Sequence, residues 1–444
     1  MLGFRKARTP LSTFQRVDIE LLMRRTIDEL GLPFVRKTQI LTDLSQLDLL
    51  DDTQQALVDS ATKAIRTRFP EQQLPCDVQI VPGADIGYPS IYVAASNEAS
   101  AMVRIAEETC EDPLRTVMEL AFQFSAHHWH GVPGATELDK SPRNADLMPI
   151  CCGFGVLGSE ACLYDDQWSQ AGWAGWSISR SGYYSTVEIG YALALLARCR
   201  NETSPDWDEH LRLDSRETAA LAWKFFASQE KLGRSLLFDA ETIPSTQADM
   251  SQLATWLSGP DPAYALAAGY ALAKLNDLSP LAVESAIKAS RSSDPDVVPL
   301  AVRVLGKART CTPELERCVM DLCRKGKPRV AVAAMQAAVE LNLSLIDCRR
   351  RLVKLFDYFA GDPSPILDLI GSQGHALKMV APRVMPRLVL AVRDQDSQLV
   401  DSCLRCMIHI GADVEGLISK YLKVQEPRDQ ALQRLAELKD SGAG

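Results

Sequence analysis

The chain has 444 residues, a hydrophobic fraction of 46%, and 57 aspartates and glutamates against 48 lysines and arginines, a formal charge of -9. That length is roughly three times the ~150 residues of one ordinary domain, and the composition is that of a folded globular protein, so a lone small domain and a disordered chain are both excluded. No run approaches the ~18 apolar residues that cross a bilayer, and the basic start MLGFRKARTPLSTF leads into no apolar stretch of signal-peptide length, so no membrane association and a cytoplasmic location are expected.

In chain order, the first 70 residues predict helices over 17–31, closed by Gly31, and over 52–69. Three runs rich in β-branched residues follow, DVQIV (77–81), SIYVAA (90–95) and AMVRIAEE (101–108), bounded by turn residues and read as strands. A long helix then starts after Asp112-Pro113 and stops at Gly131, with Val117, Leu120, Ala121, Phe124 and His128 along one side. It carries His127, His128 and His130 near its end, which invites a metal hypothesis. Against that, His128 and His130 are two apart and face different ways on a helix, so the three are expected to serve the core and the helix terminus.

Residues 91–131, the segment Asp146-Leu-Met-Pro-Ile-Cys-Cys-Gly-Phe-Gly155 and the run from Trp176 to Ala197 together resemble a group of uncharacterised bacterial proteins with a zinc-peptidase-like (zincin) domain. Their pattern is L-A-H-E-x-x-H, then E-x-x-x-D-L, then a G-Y-hydrophobic segment, and the resemblance spans about 10–230. It implies two histidines one turn apart that bind zinc, a glutamate between them that activates water, and a downstream glutamate as third ligand. This chain departs at each position. Phe122 and Ala126 stand at the two histidines, Gln123 at the base, and Pro142 at the downstream ligand, leaving Asp146. Phenylalanine, alanine and proline side chains offer no ligand atom, and glutamine takes no proton from water at neutral pH. The resemblance therefore implies a degenerate site without metal, cofactor or catalytic residues.

Trp168, Trp173, Trp176, Tyr183, Tyr184 and Tyr191, interleaved with Gly172, Gly175 and Gly182, form the densest aromatic cluster of the chain. Such residues suit either a ligand groove or a loop folded over the former metal helix, and the second is expected here. Gly153-Phe-Gly155-x-x-Gly158 spells a dinucleotide-type G-x-G-x-x-G but lacks the preceding strand that motif requires. The twelve cysteines are dispersed, with one C-x-x-C at Cys403 and Cys406 and no second pair to close a zinc site, so they read as buried thiols.

From about residue 250 the pattern is a repeat. Asp261-Pro262, Asp294-Pro295, Lys327-Pro328, Asp362-Pro363, Asp394 to Ser397 and Glu426-Pro427 punctuate apolar helical runs at intervals of about 34 residues, each mark ending one helix and starting another. The Asp-Pro turn followed by an Ala/Val/Leu helix resembles HEAT-type repeats: about five helix pairs, closed by a capping helix over 427–440 with Ala431, Leu432, Leu435 and Leu438 on one side. Two basic clusters lie here, Arg324, Lys325, Lys327 and Arg329 in one and Arg349, Arg350 and Arg351 in the other; an ideal solenoid puts them on opposite edges.

The fold expected is thus an α+β zincin-like domain over 1–240 followed by an all-α solenoid of HEAT-like pairs over 248–444. The function expected is that of a non-catalytic interaction or scaffold protein, a pseudoenzyme domain joined to an array that binds a protein partner along its surface. One alternative is a metal-dependent hydrolase built on His127, His128 and His130. Another is a nucleic-acid-binding array, disfavoured because residues 251–444 hold only 25 basic against 22 acidic side chains and residues 1–250 hold 23 against 35.

Overall fold

The computed structural model describes residues 11–70, 75–95, 100–136, 139–170, 173–180, 182–231, 236–239, 248–358, 363–393 and 397–440, with the backbone alone for 163–170, 173–180, 358, 393, 397, 398, 426 and 440. The chain divides into two compact units, Met1–Ala240 and Glu241–Gly444. Most described residues are helical; the strands are three in one sheet and two in a hairpin.

The first unit begins with α1 (Thr13–Leu30), where Ser12 and Gln15 cap each other's backbone and Gly31, at φ 82°, turns the chain into α2 (Leu32–Lys37). Helix α3 (Gln54–Arg68) is capped by Thr53. Strands β1 (Cys76–Val81), β2 (Ser90–Val93) and β3 (Ala101–Ala106) form a sheet in the order β1-β3-β2, with the short α4 (Gly83–Ile86) between the first two. β1 runs parallel to β3 and β2 antiparallel to it. All three lie where the β-branched runs predict them, and the carboxyl end of the third run, Glu107 and Glu108, instead opens the 3-10 turn Glu107–Glu111.

Helix α5 (Pro113–Gly131) starts where Asp112 accepts hydrogen bonds from the amides of Leu114 at 2.9 Å and Arg115 at 3.2 Å, with Pro113 costing nothing at the first position. Val117, Leu120, Ala121 and Phe124 are all fully buried against α3 (Val58, Ala61, Ile65) and β3 (Val103, Ile105). Burial of a side chain such as Leu120 or Phe124 contributes ~1.5–3 kcal/mol, so this face anchors the helix to the sheet.

Helix α6 (Pro142–Pro149), a wide turn over Ile150–Phe154 that kinks at Gly153, and α7 (Gly155–Ala161) run in succession between two cores. Leu147 and Cys151 face one core while Met148 and Cys152 face the other. The G-x-G-x-x-G glycines serve this packing. Gly153 has φ 94° and a Cβ there would run into the Gln39 carbonyl, while one on Gly155 would lie 2.7 Å from Leu193. The segment expected as an aromatic loop is instead an antiparallel hairpin, β4 (Leu163–Gln170) with β5 (Trp173–Arg180). Alternation of polar and apolar residues at 173–180 was the available signal for it. Helix α8 (Thr186–Cys199), opened by a Ser185–Glu188 capping box, then packs on α9 (Leu213–Lys231) and α1.

The second unit consists of helices joined by tight turns: α10 (Met250–Leu257) with α11 (Pro262–Ala273), α12 (Pro280–Ala289) with α13 (Val297–Gly306), α14 (Pro313–Lys325) with α15 (Pro328–Glu340), α16 (Arg349–Tyr358) with α17 (Ser364–Ser372), and α18 (Ala381–Arg393) with α19 (Ser397–His409). Two more, α20 (Val414–Tyr421) and α21 (Gln425–Asp440), end it; Ala431, Leu435 and Leu438 of the last are buried and Leu432 is half-buried. The second helices stack in succession, α11 on α13, α13 on α15, α15 on α17 and α17 on α19. This arrangement is compatible with a helical solenoid. Pro262 and Pro328 occupy the first position of their helices, as the punctuation predicts; Asp362 and residues 394–396 lie outside the described residues.

One expectation about this unit is overturned. The two basic clusters do not fall on opposite edges: Arg351 donates to the Gly326 carbonyl, and Arg324 reaches Asp347 at 3.4 Å. A seven-residue connection, 342–348, brings the start of α16 back beside the end of α14, a detour that the ideal repeat geometry does not contain.

Candidate functional site

The positions singled out by the zincin resemblance lie on α5, α6 and the turn before α8. Phe122, Gln123 and Ala126 are half-buried on α5, Pro142 is the first residue of α6, and Asp146 follows one turn later. The Asp146 carboxylate accepts the Tyr183 amide, and Gly182, at φ 76°, is pressed so closely that a Cβ on it would lie 2.8 Å from Asp146 and 3.5 Å from the Phe122 ring. Phe122, Asp146 and the Gly182-Tyr183 turn are thus brought together, with Phe122 where the resemblance implies a ligand.

Gln123 has a definite partner. Its amide Nε2 donates to Ser90 Oγ at 2.8 Å, and Ser90 Oγ in turn donates to Glu119 Oε2 at 2.6 Å. Ser90 and Glu119 are both buried, so this chain ties the first residue of β2 to α5. A hydroxyl has one proton to give, and with that proton on Glu119 its oxygen needs a donor from Gln123, which an amide supplies and a carboxylate cannot.

The three histidines make different hydrogen bonds, although the His127 and His130 rings both lie against Tyr92, with ring centres 5.6 and 5.0 Å away. His127 Nδ1 lies 3.1 Å from the Tyr92 hydroxyl on β2, His128 Nε2 lies 3.3 Å from Glu29 on α1, and His130 Nδ1 contacts the Ala126 carbonyl of its own helix at 2.8 Å. Burial holds the His128 imidazole below its ordinary range against the pull of Glu29. The Tyr92 hydroxyl is pushed up to about 12, chiefly by burial. Among the described residues no three His, Cys, Asp or Glu side chains come together in a way that would hold a metal ion.

Of the aromatic cluster, the side chains of Tyr183, Tyr184 and Tyr191 are among the described residues. Tyr184 is buried with its ring 4.4 Å below the Arg143 guanidinium, and Arg143 bridges Asp18 at 2.8 Å and Glu188 at 3.2 Å. Tyr191 is wholly buried and donates to Glu20 at 2.7 Å. Both therefore belong to the core, whereas Tyr183 is 54% exposed. The side chains of Trp168, Trp173 and Trp176 lie outside the described residues, as does Gly172.

Sequence reading missed Ser90 and Glu119, and it missed the buried pair Arg16–Glu20, which meets at 2.8 Å and is closed by Tyr191 and the Phe238 amide. An i,i+4 Arg–Glu pair ordinarily marks a solvated helix face, so nothing local distinguishes this one. No protein-family model, no curated protein and no solved structure matches the chain.

Proposed function

We propose that this protein is a non-catalytic interaction protein: a zinc-peptidase-like unit without its metal, followed by a HEAT-like array that presents a binding surface to another protein. The observation that carries this reading is the filling of the site. Zinc hydrolysis needs ligands and a base, and the four corresponding positions hold Phe122, Gln123, Ala126 and Pro142, with Phe122 packed toward Gly182 and Gln123 committed to Ser90. His127 and His130 both pack on the Tyr92 ring, but the three histidines hydrogen-bond to different groups, Tyr92, Glu29 and the Ala126 carbonyl, which counts against a replacement ligand set. The successive stacking of α11, α13, α15, α17 and α19 supports the array, since such stacks leave long surfaces on which partners dock. The membrane plays no part in this reading, and among the described residues no helix is long and apolar enough to cross one.

The test is turnover. The purified full-length protein, incubated with a fluorogenic peptide library with and without added zinc, is expected to release no product above buffer. Chelator-sensitive cleavage would overturn the proposal and return His127, His128 and His130 to candidacy.

A further inference from the structure

The junction between α14 and α16 gathers the positive charge of the second unit. Arg324, Lys325, Lys327, Arg329, Arg349, Arg350, Arg351 and Lys354 lie at or beside the contacts that Arg351 makes with Gly326 and Arg324 makes with Asp347, and the acidic residues among them are Asp321 and Asp347. Residues 251–444 exceed neutrality by only three charges, so this one junction accounts for more than their whole excess, within a chain of net charge -9. Lys325 is 78% exposed, and Lys327, Arg350 and Lys354 are exposed as well. The acids neutralise little: Lys325–Asp321 is an open pair at 3.6 Å and Arg324–Asp347 an open pair at 3.4 Å, contacts that water and salt weaken strongly. Beside Asp347, which Arg324 reaches, Ile346 is 59% exposed, an apolar side chain three residues before Arg349.

We propose that this junction is the docking site for an acidic segment of a partner protein, a reading that rests on the interaction role proposed above. Among the exposed groups, Arg324 and Arg350 present planar forks that suit carboxylates held two oxygens at a time, and Lys325, Lys327 and Lys354 add point charges. Two features favour an acidic peptide over nucleic acid. The patch is confined to one inter-repeat junction within an otherwise acidic chain, whereas a polyphosphate backbone needs a positive track along its length. Ile346 also gives an apolar side chain of the peptide a contact that phosphates would leave unused.

The experiment uses the full-length protein and a fluorescein-labelled peptide of six Glu-Leu repeats, read by fluorescence anisotropy at low and physiological salt, with the matching Lys-Leu peptide and a single-stranded oligothymidylate as comparisons. The expected result is salt-sensitive binding of the Glu-Leu peptide alone, weakened at least tenfold by Lys327→Glu with Arg350→Glu and less by Lys327→Gln with Arg350→Gln, while Lys288→Glu with Lys423→Glu, an equal charge change at exposed lysines elsewhere, leaves it intact. Equal loss in both charge-reversal variants, absence of Glu-Leu binding at low salt, or tighter binding of the oligonucleotide through Lys327 and Arg350 would each overturn the proposal. Such a failure leaves the non-catalytic, metal-free reading standing, because that reading is tested by hydrolysis and metal content, which none of these substitutions touches.

Discussion

The Gln123 amide donates to the Ser90 hydroxyl at 2.8 Å, so the residue that the proposed zinc-peptidase likeness would put at the water-activating base holds the edge of a β-sheet. Restoring a carboxylate there, Gln123→Glu, places two carboxylates on one hydroxyl that has a single proton to give. A loss of ~1–3 kcal/mol is expected from the unsatisfied group and the charge repulsion with Glu119. The loss should shrink as pH falls through the carboxylate range and the new acid gains a proton. Urea unfolding at pH 7.5 and 5.0 checks both the size and the direction; an unaltered midpoint at pH 7.5 would contradict the assigned hydrogen bonds.

The buried pair Arg16–Glu20 should behave asymmetrically. Glu20→Ala leaves the Arg16 guanidinium, 2% exposed, without its carboxylate, and removal of one partner of a buried pair costs ~3–5 kcal/mol. Replacing the pair by apolar residues of similar volume and removing the hydroxyl that Glu20 accepts, Arg16→Met with Glu20→Leu and Tyr191→Phe, should recover most of that loss. Thermal unfolding of the single and triple variants decides the matter, and equal destabilisation in the two would show that the charges are not what the site requires.

Much of this architecture was legible in the sequence, and the illegible parts have particular causes. Asp112-Pro113 and Gly131 bound α5 because capping and termination are local chemistry, and the proline punctuation locates α11 and α15 for the same reason. The hairpin over 163–180 was obscured by its glycines and tryptophans, which suit a loop equally well. The joining of Arg324 to Asp347 depends on how the connection before α16 runs, a tertiary fact without a local signal. At the candidate site, Phe122, Gln123 and Asp146 were singled out by the resemblance alone, and the structure brings Phe122 and Asp146 to the Gly182 turn. Ser90 and Glu119 were not singled out, because a serine opening a strand and a glutamate in a helix are unremarkable until the two meet.

His128 makes stability sensitive to acid. Burial lowers its folded-state pKa below the ordinary ~6.5 despite Glu29. The unfolded chain therefore binds this proton more readily, and the stabilisation present above that ordinary value is lost as pH falls through the folded-state value. His128→Gln should flatten the melting-temperature profile between pH 7.5 and 5.5 relative to the parent protein. Parallel profiles would show that other groups govern the acid response.

Rebuilding the site calls for all four changes together. Phe122→His, Gln123→Glu, Ala126→His and Pro142→Glu supply three ligands and a base, and the combined variant is expected to take up zinc in calorimetric titration. Gln123→Glu alone is expected to take up none, since it adds no histidine. Uptake by the single variant would show that ligands already exist in the parent chain.

The most direct measurement is the metal content of the full-length protein purified without chelator and without added metal, by inductively coupled plasma mass spectrometry. The account predicts far less than one equivalent of zinc per chain, unchanged by incubation with zinc and gel filtration. One tightly held equivalent, removed by chelator together with a peptide-cleaving activity, would contradict it.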